Sequence, residues 1–198
     1  MKKFLWVVLL MQLAKSTLAA DIQLTDPKTS GGIPLMDAIK NRRAERMIDS
    51  QMISEQDLSN LLWVTWGFSS DDGKRVVPTA RNLQDMELYV LLSTGSYVYD
   101  ASLNLLKQIG DKDLRGIVGK EQEYATIAPV HLLFVTKDKK FGDMHAGSMY
   151  QNAGLYCASN NLACVVRGAY DRNEIKKALN LENDKEVVIT FAVGNKKK

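Results

Sequence analysis

The stretch VHLLFVTKDKKFGDMHAGSMYQNAGLYCASNNLACVVRG, residues 130–168, contains the three elements on which the fold depends. Val130–Thr136 is a continuous apolar run followed by a charged turn, which predicts a buried strand. Asp143–Asn160 is rich in small residues and predicts a long helix that another backbone or a flat ligand can approach closely. Ala163–Val166 is a second apolar run and predicts another buried strand.

Helices are predicted on both sides of this stretch. Pro34 favours the start of a helix that runs to about Arg46, with its apolar residues on one face. Ser54 begins a capping box for a second helix, from Leu58 to Trp66, which Gly67 ends. The remaining predicted helices are Leu103–Ile109, Leu114–Lys120 and Arg172–Leu179, the last of them capped by Asp171.

The remaining predicted strands form a hairpin and a closing strand. Glu87–Ser93 and Ser96–Asp100 flank Thr94-Gly95, which is a typical hairpin turn, and Glu186–Val193 is the last strand. The alternation of strands and helices shows no internal repeat. It predicts one α+β domain over residues 34–198, with a mostly antiparallel sheet flanked by helices.

Length and charge limit the classes of function. A chain of 198 residues suits a single domain with a sizeable core. The net charge of +3 comes from residues 1–20, which hold three lysines and no acid, so the rest of the chain is neutral. A broadly basic surface for nucleic acid is therefore not expected.

The first twenty residues resemble a targeting segment. Met1–Lys3 is basic, Phe4–Ala14 is a short apolar run, and Leu18-Ala19-Ala20 supplies small residues before Asp21. This pattern is typical of a secretory signal peptide and is too short for a transmembrane helix. We expect an exported, periplasmic or secreted protein without a stable membrane anchor, with residues 21–33 as a linker.

The reactive side chains form no sequence motif that would catalyse a reaction without a cofactor. His131 and His145 are the only histidines, and neither lies in a motif typical of a nucleophilic triad or of a metal site. Cys157 and Cys164 lie in apolar contexts and are either buried free thiols or a disulfide. If the protein is an enzyme, a cofactor is expected to carry the difficult chemistry.

Positive charge is concentrated near the two ends of the predicted domain. NRRAER, residues 41–46, and the terminal lysines 196–198 carry guanidinium and ammonium groups that suit a phosphate, although each cluster alone is also compatible with a solvated surface. Between them, PTARNLQ, residues 78–84, offers small residues and the Asn82 and Gln84 amides. Such amides suit the edge of a planar heterocycle, or simply a loop.

The order of these motifs resembles the FMN-dependent nitroreductase superfamily. NRRAER, LSNLLWVTWG (58–67), VPTARNLQ (77–84) and ELYV (87–90) follow the family's usual sequence of motifs, and the similarity spans about residues 34–196. The segment from Tyr97 to Asp100 resembles the hairpin of the SagB-type azoline dehydrogenase branch. Two departures are Ala44, where the family usually has serine, and Asp85, where proline is common.

The resemblance implies a nitroreductase-like, domain-swapped homodimer with two FMN sites at the subunit interface. It assigns no catalytic side chain and no metal, because the flavin carries the chemistry. Carried over position by position, it implies contacts with FMN from Arg42, Arg43, Ala44, Arg46, Pro78, Thr79, Ala80, Asn82, Gln84, Arg167, Gly168, Lys196 and Lys198.

The implied activity is hydride transfer between a reduced nicotinamide, NAD(P)H, or another donor and a small nitro, quinone or similar acceptor. Two alternatives stay open at this point. One is a peptide azoline dehydrogenase, and the other is a flavin-binding module without catalytic activity.

Overall fold

The computed structural model describes residues 20–120 and 122–197. Residues 1–19 of the predicted signal peptide and the terminal Lys198 lie outside the described residues. The helices are α1 (Leu35–Asn41), α2 (Glu55–Trp66), α3 (Arg115–Gly119), α4 (Glu123–Thr126), α5 (Gly142–Ser159) and α6 (Arg172–Ala178). In the described part of the chain, no helix has the length and apolar character needed to cross a membrane.

Seven strands form one sheet. They are β1 (Ile22–Gln23), β2 (Met86–Leu92), β3 (Gly95–Asp100), β4 (Leu105–Gly110), β5 (Val130–Thr136), β6 (Leu162–Arg167) and β7 (Glu186–Asn195). Their spatial order is β1-β4-β3-β2-β5-β7-β6, and every neighbouring pair is antiparallel. The predicted α+β class with a mostly antiparallel sheet is confirmed.

Helices cover both faces of the sheet. Successive side chains of a strand point to opposite faces, so Leu132 and Phe134 of β5 pack into one cluster with α2 and α5. Leu133 and Val135 pack into a second cluster with α3 and α6. β5 is buried at every position because it lies in the middle of the sheet between these two layers, which explains its continuous apolar sequence.

Local sequence signals identify several element boundaries correctly. Ser54 caps α2, since its Oγ accepts the Asp57 N–H at 3.0 Å, and Asp171 caps α6 in the same way. Thr94-Gly95 joins β2 to β3, and Gly95 has φ +142°, a conformation that favours glycine. β5 has the predicted bounds.

One predicted helix is wrong, and another is shorter than predicted. The sequence predicts a helix over Leu103–Ile109, but Leu105–Gly110 is β4, held between β3 and β1 by strand pairing. The first helix ends at Asn41 rather than near Arg46, because the chain becomes extended at Arg42. The Glu45 N–H then donates to Cys164 O of β6 at 2.8 Å, so this segment bonds to the sheet edge instead of continuing the helix. The predicted linker includes β1, which pairs with β4.

Candidate functional site

A cleft of two adjoining cavities lies where the segment after α1, the second half of α5 and the edge strand β6 meet. The larger cavity has a volume of about 340 Å³, within the usual range for small-molecule sites. It is lined by Asn41, Arg43, Glu45, Gly154, Ala158, Asn161, Leu162, Cys164 and Lys196.

The smaller cavity has a volume of about 40 Å³ and shares Arg43, Gly154 and Cys164 with the first. Its other lining residues are Arg42, Ala44, Tyr150, Gln151, Val165, Val166 and Phe191. We call the two together the basic cleft. Arg42, Arg43, Ala44 and Lys196 of the predicted site therefore lie at one place.

Backbone pairing brings the two ends of the domain together at the basic cleft. Ile48 forms an isolated antiparallel bridge with Lys196, and the Asp49 N–H donates to Asn195 O at 2.8 Å. The end of β7 is thereby placed beside the chain that follows α1. Residues 153 positions apart, Arg43 and Lys196, consequently line the same cavity.

The groups that line the basic cleft fit a phosphate-bearing ligand. Arg43 and Lys196 supply a guanidinium and an ammonium group, and Asn41 and Asn161 add amides. Glu45 is the acidic residue of the lining, and its carboxylate accepts the Met47 N–H at 3.1 Å. Gly154 keeps the floor open, because an ideal Cβ at this position would lie 3.4 Å from Arg42 Cδ.

Arg167 and Gly168 follow directly after the cleft-lining residue Val166. The Arg167 side chain is buried and turned inwards, with Nη1 donating to Val118 O at 2.6 Å and Nε donating to Gln122 at 2.7 Å. This guanidinium therefore holds the α3–α4 region. Gly168 is exposed and lines neither cavity of the basic cleft.

The remaining predicted site residues do not line the cleft within this chain. The Arg46 guanidinium lies over the Tyr124 ring, 5.7 Å from its centroid. The segment 78–84 lies against the first turn of α5, where the Ala80 N–H donates to His145 Nε2 at 2.7 Å. His145 precedes Gly154 by nine residues, which corresponds to about 14 Å along the helix.

The two amides singled out in this segment bind protein groups. Gln84 donates to Gly73 O at 2.8 Å and to Asn82 Oδ1 at 3.1 Å, and its own Oε1 accepts from Arg75 Nε at 3.1 Å. Arg75 lies over the Trp66 ring, 4.5 Å from its centroid. These bonds shape the loop, which is the physical reason for amides at these positions.

The structure also shows the surroundings of His131 and of the two cysteines, whose roles the sequence left open. His131 is buried on β5, and burial lowers its pKa to about 4. Cys157 and Cys164 are buried free thiols, and burial raises the pKa of the Cys157 thiol. His131 and Cys157 pack within the fold, while Cys164 also contributes to the wall of the basic cleft.

Sequence reasoning missed two features of this region. Asp85 appeared only as a departure from a family pattern, yet its Oδ1 lies 2.7 Å from His145 Nδ1. Gly154 was one of several small residues on a helix, yet it lines both cavities. The small-residue composition of α5 was a signal for the second feature. No local signal indicated the first, because Asp85 and His145 are 60 positions apart.

Comparisons with family models, with curated proteins and with solved structures all match the same family. The nitroreductase family model matches residues 39–195. A nitroreductase-like protein of Methanocaldococcus jannaschii is 26% identical over 182 residues, which cover 82% of this chain and 90% of that protein. A crystal structure of a nitroreductase-like protein from Ralstonia eutropha is 32% identical, with a TM-score of 0.82, and the match covers 88% of this chain and 89% of that one.

A more distant structure extends the comparison to a protein named as FMN-dependent. The FMN-dependent nitroreductase of Clostridium difficile is 14% identical, with a TM-score of 0.59, over 82% of this chain and 88% of that one. At this identity the match concerns the fold alone.

Proposed function

The chain belongs to the nitroreductase family of oxidoreductases, and on that premise we propose that it binds FMN in the basic cleft. When bound, FMN would supply the hydride-accepting and hydride-donating ring, so that one site serves NAD(P)H or another donor and then a small nitro, quinone or similar acceptor. The protein's own groups bind and orient the cofactor.

One observation carries this proposal. Arg43 and Lys196 come from opposite ends of the domain and line one cavity beside Gly154. A phosphate monoester gains from both a two-pronged guanidinium and an ammonium group, and backbone pairing places these two groups at one cavity. In this arrangement Arg42 and Arg43 hold positive charge at the junction of the two cavities.

The proposal includes a homodimer. The predicted ring-contacting segment 78–84 lines neither cavity of the basic cleft, so one chain alone does not complete the predicted site. A second copy is the natural source of the missing segment. Apolar side chains are exposed on α1, where Leu35 is 64% and Met36 73% exposed, and a surface of this kind is typical of a protein interface.

Titration with FMN tests the cofactor assignment directly. Purified protein is titrated with FMN, and quenching of flavin fluorescence reports binding. Arg43→Ala and Lys196→Ala are each expected to weaken binding at least tenfold. Lys197→Ala is the matched control, since successive side chains of an extended segment point in opposite directions and Lys197 does not line the larger cavity. Equal affinity for all four proteins would refute the phosphate assignment.

Turnover then separates the enzyme from its alternatives. Anaerobic mixing of the FMN-loaded protein with NADH or NADPH, followed by a nitroaromatic or quinone acceptor, is expected to bleach and then restore the flavin absorbance. Bound FMN without any turnover would instead favour a binding module. The hairpin that suggested an azoline dehydrogenase has buried tyrosines, and the Tyr97 hydroxyl lies 2.8 Å from Thr94 Oγ1.

A further inference from the structure

The strongest unassigned feature is a buried pair, Asp85 and His145, at the first turn of α5. The His145 side chain is fully buried, and its Nε2 accepts the Ala80 N–H at 2.7 Å. Asp85 Oδ1 lies 2.7 Å from the other ring nitrogen, Nδ1. Among the described residues, neither Asp85 Oδ1 nor His145 Nδ1 has a hydrogen-bond partner of good geometry, so their approach is a close polar contact.

These contacts determine where the ring proton lies. A backbone N–H can only donate, so Nε2 must offer a lone pair to Ala80 and the proton belongs on Nδ1. A carboxylate 2.7 Å from Nδ1 stabilises that tautomer, because its negative charge favours a proton on the nitrogen that faces it. Thr136 Oγ1, 3.4 Å from Asp85 Oδ2, donates to the same carboxylate and orients it.

His131 provides an internal contrast. Its Nε2 lies 2.8 Å from Ala125 O, and a carbonyl oxygen can only accept a hydrogen bond. The proton of His131 therefore belongs on Nε2. The two histidines of this chain are expected to be opposite tautomers.

The loop that His145 holds has an unfavourable backbone conformation. Arg81, Asn82 and Gln84 have φ values of +53°, +55° and +47°, in the left-handed region that few side chains favour. Such conformations persist only where surrounding contacts hold them, and they cluster at ligand-binding sites. The His145–Ala80 hydrogen bond joins this exposed loop to the rigid start of α5.

We propose that Asp85 and His145 form a positioning pair that sets the backbone of the 79–82 loop for contact with the flavin bound by the partner subunit. This inference rests on the proposed function. His145 does not touch the cofactor in this arrangement and acts through Ala80. Asp85 in turn orients the loop through its contact with His145.

The test begins on the cofactor-free protein. Long-range ¹⁵N–¹H NMR of the imidazoles is expected to show an Nδ1–H ring for His145 and an Nε2–H ring for His131, with resonances assigned from His131→Gln. An Nε2–H ring at His145 would overturn the proposal.

Variants then separate hydrogen bonding from space filling. His145→Leu fills the space without an acceptor and is expected to speed hydrogen exchange of the Ala80 amide at least tenfold. His145→Gln retains an acceptor and is expected to stay within about threefold of the wild type. Asp85→Ala is expected to speed exchange by an intermediate factor, and an unchanged rate would overturn the paired role.

FMN dissociation rates complete the test. His145→Leu is expected to release FMN at least tenfold faster than both the wild type and His145→Gln. Equal release from all three, with the exchange rates as expected, would overturn the positioning role and leave the FMN proposal intact. A wild-type protein that binds no FMN would overturn the proposed function itself, together with the flavin part of this inference.

Discussion

Gly154→Ala should change the stability of the fold and the affinity for FMN in opposite directions. Gly154 lies within α5, where alanine is favoured over glycine by about 1 kcal/mol. The added Cβ would lie 3.4 Å from Arg42 Cδ and 3.5 Å from Arg42 Cγ, which is van der Waals contact with a flexible side chain. The cofactor-free protein should therefore gain up to about 1 kcal/mol, or roughly 2–4 °C in Tm.

The same methyl group enters the basic cleft. The smaller cavity has a volume of about 40 Å³, little more than the roughly 30 Å³ that one water molecule occupies in the liquid. A methyl group there competes with the ligand for the same space. Overpacking of this kind costs about 1–3 kcal/mol, so FMN affinity should fall by roughly 5- to 150-fold.

The assay combines thermal unfolding of the cofactor-free protein with fluorescence titration of FMN. Gly147→Ala is the matched control, because Gly147 lies on the same helix, its added Cβ would be 4.0 Å from Tyr150 Cε1, and it lines neither cavity. It should raise Tm without changing FMN affinity. Size-exclusion chromatography checks that both variants keep the oligomeric state. FMN binding by Gly154→Ala as tight as that of the wild type would refute the placement of the ligand.

Three further predictions concern stability and location. Burial lowers the pKa of His131 to about 4 from 6.5, so the unfolded chain binds a proton that the folded chain excludes between these values. The free energy of unfolding should fall by up to about 3 kcal/mol as the pH drops through this window. Urea unfolding at pH 7 and 4.5 should show a smaller fall for His131→Gln, and identical falls would contradict the assignment. Ser54→Ala removes the α2 cap and should lower the free energy of unfolding by about 1 kcal/mol. Ser148→Ala, within α5, removes a hydroxyl that donates to Met144 O and should leave the protein as stable as the wild type. Equal Tm values for the two variants would contradict the capping role of Ser54. We also propose that residues 1–20 direct export. Cell fractionation and the N-terminal sequence of the mature protein would test this proposal. A protein found in the cytoplasmic fraction with Met1 intact would exclude it.

Elements with a local physical cause could be predicted from sequence. A serine or aspartate that satisfies the first N–H groups of a helix acts within three residues, so the starts of α2 and α6 were predictable. The β2–β3 turn and β5 were also predictable from local sequence, the turn from Thr94-Gly95 and the strand from its continuous apolar run. β4 was not predictable in this way, because the spacing of its apolar residues also fits a helix and only pairing with β3 and β1 decides between the two.

The same distinction between local and long-range causes applies to the candidate site. The basic residues and their order along the chain were visible in the sequence, because residue type and motif spacing do not depend on folding. Their convergence on one site was implied only by the family resemblance and not by the residues themselves, since Arg43 and Lys196 meet through the pairing of residue 48 with the end of β7. The placement of Arg46 over Tyr124 could not be predicted either.

The sequence by itself determined the class of fold, the family pattern and the types of charge available to a ligand, because these follow from composition, periodicity and local capping. Only the tertiary structure decided where α1 ends, which basic residues share the cleft, and that Asp85 meets His145. Each of these depends on contacts between residues distant in the chain, and the free energy of such a contact is defined only once the sheet has brought its partners together.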